Sequence, residues 1–162
     1  MAMGKLSKSL APAIAAVALL AGVPAQAACW TEEDAALARI HDLRTKLTVG
    51  STRCEASAEV AAEFQSFARA NRNPLAVVSQ RLKSRFWTAY GQDEGQRLLD
   101  RFAEALVTAH KSDSGDCANT VALLREAATN GGSVAALSQL AERQGIRPVL
   151  PGGVCGMTLA KR

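Results

Sequence analysis

Four cysteines, Cys29, Cys54, Cys117 and Cys155, are spread so that no two lie closer than 25 residues, and their pairing limits the folds open to this chain more than any other feature. Whether they pair depends on the compartment, which the first residues address. Lys5 and Lys8 precede an apolar run from Ala11 to Val23, and "PAQA" then places small residues at Ala25 and Ala27. This is the layout of a secretory signal peptide, residues 1–27, cut after Ala27. A retained transmembrane anchor needs about 18 or more apolar residues, whereas this run has 13 and includes Pro12, so no anchor is expected. Lipoprotein processing directly before Cys29 is the rival; it is disfavoured by Gln26, which stands where such signals carry a branched aliphatic residue.

An even number of cysteines in an exported chain makes two disulfides the default. Metal binding is the weaker reading. There is no CxxC or CxxCH, and His41 and His110 are remote from the cysteines in sequence, so no metal or cofactor is expected. The mature chain, residues 28–162, holds 135 residues, enough for one domain, 28–156, with 157–162 fraying as a tail. Losing Lys5 and Lys8 leaves 17 of 19 basic residues against 15 acidic ones, a net charge of +2. That balance selects neither nucleic acid nor an anionic membrane surface nor a strongly acidic substrate.

Strand signals are scarce, and Ala, Leu, Glu and Arg dominate, so the fold is expected to be all-α, a compact up-and-down bundle of five to six helices. Thr31 caps "TEED", and Ile40, Leu43, Leu47, Gly50 and Cys54 continue one stripe, so the first helix runs from Thr31 to about Cys54 despite Gly50. Ser57 caps a second helix reaching "RAN", with Val60, Phe64 and Phe67 inward. Asn73-Pro74 reads as the cap and first residue of a third, with Leu75, Val78, Leu82, Phe86 and Ala89 on its inner stripe and an end by Gly91. A fourth, from about Asp93 to His110, turns Leu99, Phe102, Leu106 and Ala109 inward. A fifth opens near Cys117, buries Val121, Leu124 and Ala128, and stops at "NGG"; a sixth runs from Val134 to about Gln144, capped by Ser133 and closed by Gly145. The Pro- and Gly-rich tail after it reads as an irregular strap.

A straight first helix of that length holds Cys29 and Cys54 roughly 35 Å apart at 1.5 Å per residue, beyond the reach of a disulfide. If successive helices run strictly up and down, Cys117 opens the fifth at the end where Cys29 lies. The expected pairs are then Cys29–Cys117 and Cys54–Cys155, with the tail climbing back to the far end.

Candidates for chemistry are few. His41 lies beside Asp42 without an HExxH, and His110 falls where a cation suits a helix C-terminus; both read as structural. No GxSxG or SxxK is present, and "NGG" and "PGGVCG" lack the strand-then-helix setting of a phosphate loop. Residues 64–92 contain Arg69, Arg72, Arg81, Lys83 and Arg85, no acid, and the aromatics Phe86, Trp87 and Tyr90. Such interleaving suits single-stranded nucleic acid, but helical geometry scatters these cations over different faces. A solvated basic face is the plainer reading, with Trp87 and Tyr90, beside Arg81 and Arg85, as the candidate partner contact.

The stretches "ACW", "ARIHDLRTKLTV" leading to "RC", "FARANR", "GQRLLDRFAEAL" and "PVLPGGVC" together resemble a group of small exported all-helical proteins of alphaproteobacteria. The resemblance implies export, helices and a cysteine framework, and brings no catalytic residues. Two functions stay open. One is a non-enzymatic periplasmic or secreted module that binds another protein or an envelope component, as an inhibitor, chaperone or accessory subunit. The other is a small helical enzyme or anion binder of the chorismate-mutase kind, for which inward cations are needed; Arg44 and Arg125 are the candidates.

Overall fold

The computed structural model describes residues 29–113 and 115–155. The expected signal segment, 1–27, and the tail 157–162 lie outside the described residues. Six helices follow in order: α1 (Glu32–Arg53), α2 (Ala58–Ala70), α3 (Arg72–Tyr90), α4 (Gln92–Lys111), α5 (Cys117–Asn130) and α6 (Val134–Arg143). No strand occurs among the described residues, only an isolated parallel bridge between Trp30 and Val154. The all-α expectation holds.

Local chemistry sets most of the boundaries. The side chains of Thr31, Ser57, Asp116 and Ser133 each accept a backbone N–H bond from the first turn of the helix they precede, satisfying donors that a helix start leaves open. At the end of α6, Gly145 N–H bonds Glu142 C=O and Ile146 N–H bonds Ala141 C=O, while Gly145 takes φ +66°. This paired reversal needs a left-handed residue, which glycine supplies without a Cβ penalty, and it buries Ile146 in the core.

The sequence misplaces the start of α3. The helix begins at Arg72, so Pro74 falls in the first turn rather than at its first position; a missing N–H costs little there because no intrahelical acceptor precedes it. A single residue, Asn71, closes α2 and opens α3. Reversing an αα-hairpin takes about 2–5 linking residues, so the chain bends at Asn71 instead of doubling back. Arg81 then meets Glu33 and Arg85 meets Asp34, while Ser79 lies beside Arg44. These contacts make α3 antiparallel to α1.

That bend overturns the expected cysteine pairing. With one reversal fewer, α4 runs parallel to α1, Phe102 near Trp30 and His110 against Asp42, and α5 opens at the end that carries Cys54. The bonds are Cys54–Cys117, Cα atoms 5.8 Å apart, and Cys29–Cys155, Cα atoms 5.0 Å apart; neither Cys29–Cys117 nor Cys54–Cys155 forms. Cys29 and Cys54 stay apart, as the length of α1 requires. The tail is a strap as expected, but it stays at the Cys29 end: Trp30 N–H bonds Gly153 C=O, Cys155 N–H bonds Trp30 C=O, and the Trp30 indole donates to Pro151 C=O at 2.7 Å.

Two apolar clusters flank α1. The larger gathers Leu37, Ile40, Leu43 and Leu47 with side chains from α2, α3, α5 and α6; the smaller gathers Trp30, Ala38, Leu82, Phe86, Phe102 and Leu106. Trp30 meets Phe86 edge-on at 5.1 Å and stacks against Phe102 at 6.5 Å. Ala109, expected inside, is exposed, and Leu99 is half-buried.

Glycine sets helix spacing at two places. A Cβ on Gly95 would stand 2.7 Å from Phe86 C=O, so α4 closes directly onto the end of α3, and one on Gly50 would stand 3.0 Å from Thr120 Oγ1 beside the Cys54–Cys117 bond. Gly95→Ala is expected to lower stability by about 1–3 kcal/mol, because backbone rather than a flexible side chain must move. Chemical denaturation against the parent protein measures this; an unchanged midpoint would contradict the close approach.

Candidate functional site

The bend at Asn71 leaves a groove where α1, α2 and α3 meet, with a volume of about 450 Å³. One face of each helix contributes. Helix α2 brings Phe64, Phe67 and Ala68; α3 brings Arg72, Leu75, Ala76 and Ser79; α1 brings Arg44 and Thr48. These are i, i+3 and i+4 positions, which share a helix face. Phe67 is buried beneath Phe64 and Leu75, both half-buried, with the two rings 6.1 Å apart. The floor is therefore apolar and already packed.

Its charge has one sign. Arg44 and Arg72 are exposed and no carboxylate lines the groove. Arg44 Nη1 lies 3.5 Å from Ser79 Oγ, a weak tether, and among the described residues no ion pair engages either arginine. The neighbouring acids are occupied elsewhere: Glu59 and Glu63 take Arg125, Glu33 takes Arg81, and Asp34 takes Arg85.

The residues singled out from the sequence are thus redistributed. Arg125 does not line the groove; its bonds to Glu63 and then Glu59 raise its pKa above the ordinary value, so Arg44 and Arg125 do not converge. Arg85 also donates to Cys29 C=O at 2.6 Å and lies over the Trp30 ring, which makes it a fastener of the Cys29 end. Trp87 and Tyr90 are half-buried, Trp87 beneath the Lys83 ammonium at 4.3 Å. They form no open apolar patch.

A second cleft, of about 440 Å³, lies between α1, the α4–α5 connection and α5. Its charges are mixed and turned on one another: Lys46 lies 3.8 Å from Asp113, and Arg53 donates to the Gly115 and His110 carbonyls. It selects no ligand charge. At its rim His110 Nε2 contacts buried Asp42, a pair that joins α4 to α1 and that the sequence reading did not connect. No group of three or more metal-ligating side chains occurs among the described residues.

His41 faces the smaller apolar cluster, stacked on Phe102 with ring centroids 6.1 Å apart. Burial pushes its pKa below 6.5, the Arg44 charge lowers it further, and Asp42 opposes both. Because the folded value lies below the unfolded one, the unfolded chain takes the proton first as pH falls. His41 therefore subtracts stability below about pH 6.5 and leaves it unchanged above that. An NMR titration of His41 is expected to give a midpoint under 6.5, moving upward in Arg44→Glu; a midpoint above 6.5 would contradict the packing on Phe102.

Two findings bear on compartment: both disulfides are formed, and no helix among the described residues is long and apolar enough to cross a membrane. Comparison with protein-family models, curated proteins and solved structures finds no match to this chain.

Proposed function

We propose that this is an exported, non-enzymatic helical protein, released to the periplasm or the outside after removal of residues 1–27, which binds a partner protein in the α1–α2–α3 groove. Kinship with the exported helical group it resembles belongs to the same proposal. The supporting observation is a preformed apolar floor, Phe64, Phe67 and Leu75, flanked by two cations that no ion pair among the described residues engages. Apolar area supplies affinity, while charge at the rim selects and orients the partner. Disulfides near both ends of α1 suit a binding surface that has to keep its shape outside a reducing compartment. The alternative of an enzyme or small-anion site built on Arg44 and Arg125 draws no comparable support, since Arg125 is bound to Glu59 and Glu63.

Site-specific photo-crosslinking in the native host tests the reading. A photoreactive residue at Ala76, exposed in the groove, is expected to form an adduct with a discrete protein, and one at Glu104, exposed on α4, is not. Equal adducts from both sites, or none from Ala76, would overturn it.

A further inference from the structure

Resting on that reading, we infer that the groove's occupant is an amphipathic helix carrying acidic side chains seven residues apart, with apolar residues between them. The spacing comes from α3. Arg72 and Ser79 lie on one face, seven residues or about 10 Å apart along the axis at 1.5 Å per residue. Arg44 joins the Ser79 end through its 3.5 Å contact. Arg72 and the Arg44–Ser79 contact therefore stand at the two ends of one α3 face, with Leu75 and Ala76 between them and Phe64 and Phe67 forming the α2 wall beside it.

A helical ligand matches that face in both respects. Side chains at i and i+7 share a face about 10 Å apart, and those at i+3 and i+4 fall between them on the same face. An extended ligand does not match, because its same-face side chains recur at about 7 and 14 Å. The surroundings favour acids over bases at the two ends. Residues 64–92 contain no Asp or Glu and no carboxylate lines the groove; on α1 and α2, Glu59 and Glu63 are held by Arg125, Glu33 by Arg81 and Asp34 by Arg85. The groove is an open trough, which accommodates an element that continues beyond both ends.

The test uses the oxidised mature protein, residues 28–162, uniformly labelled with nitrogen-15. The probe is a capped peptide of about 14 residues, four helical turns, with Glu at i and i+7, Leu at i+3 and i+4, and Ala and Gln elsewhere. Saturable amide shifts are expected around Arg44, Phe64, Phe67, Arg72, Leu75 and Ser79. An isomer with the two Glu moved to i+2 and i+9, on the far face, is expected to bind about tenfold or more weakly, as is the original peptide to Arg44→Glu/Arg72→Glu, since both changes remove the charge match at the rim. The same double variant is expected to bind the Lys-for-Glu peptide better than the parent does, which separates lost recognition from lost fold.

Four results would overturn the inference: no shifts up to about 1 mM peptide, weaker than any useful contact; shifts centred outside the groove; equal binding of the isomer; or sebacate, a flexible dicarboxylate, reproducing the same shifts at equal affinity, which would make the site one for small dianions. An adduct at Ala76 combined with peptide failure removes this inference and leaves partner binding standing; loss of both removes the proposed function itself.

Discussion

Trp30→Ala is expected to lower the unfolding free energy by about 3–5 kcal/mol, the range for emptying a large aromatic site that cannot collapse. Trp30 is 1 % exposed and forms the hub of the smaller cluster, in contact with Phe86 and Phe102, with the Arg85 guanidinium over its ring. Its indole also holds Pro151 C=O, so the variant loosens the strap that Cys155 ties down. Trp30→Phe separates the two roles: it keeps most of the apolar contact, loses the bond to Pro151, and is expected to cost about 1–2 kcal/mol. Urea denaturation of the oxidised proteins checks both. Equal losses in the two variants would show that the hydrogen bond, rather than packing, dominates.

Asn71→Leu is expected to cost a further 3–5 kcal/mol or so, through polar groups left without partners inside the core rather than through lost volume. Asn71 is wholly buried, donates to Phe67 C=O at 3.0 Å and Ala127 C=O at 2.9 Å, and accepts from Gly132 N–H at 2.8 Å. It therefore fastens the end of α5 to the joint between α2 and α3. Gly131 is small because its Cβ would collide with the Asn71 side chain and Ala127 C=O. Asn71→Asp keeps the acceptor but turns a donor into a second acceptor, and it places a charge among buried carbonyls, so it should be no better tolerated. Since the same joint shapes the groove, ligand shifts in any folded Asn71 variant should weaken as well. A leucine variant with an unchanged denaturation midpoint would contradict the bonding.

The sequence made the helices legible wherever local chemistry decides them. Thr31, Ser57 and Ser133 cap as their residue types foretell, Gly145 stops α6 with the backbone bonds expected of it, and Val78, Leu82 and Phe86 are buried on the stripe that α3 was expected to turn inward. Topology was less legible, and one residue explains why. Asn73-Pro74 imitates a helix start, which invites a reversal there, whereas Asn71 two residues earlier bends the chain and keeps its sense. Every later helix, and with it each disulfide partner, then shifts to the opposite end of the bundle.

The candidate site was hidden for the same reason. Its three walls come from segments whose relation depends on the bend, and no spacing within one segment reveals it. The acid-free run 64–92 was the available signal, but it drew attention to Trp87 and Tyr90, the aromatic end, where Arg81 and Arg85 are already paired with Glu33 and Asp34. The cation that matters with Arg44 is Arg72, at the start of the same helix.

The whole arrangement depends on α1 being fastened at both ends by different partners, the strap at Cys29 and the head of α5 at Cys54. Non-reducing peptide mapping of the oxidised protein by mass spectrometry measures this directly. Linked peptides containing Cys29 with Cys155 and Cys54 with Cys117 are predicted; a Cys29–Cys117 or Cys29–Cys54 peptide would contradict the bend at Asn71 and the groove that follows from it.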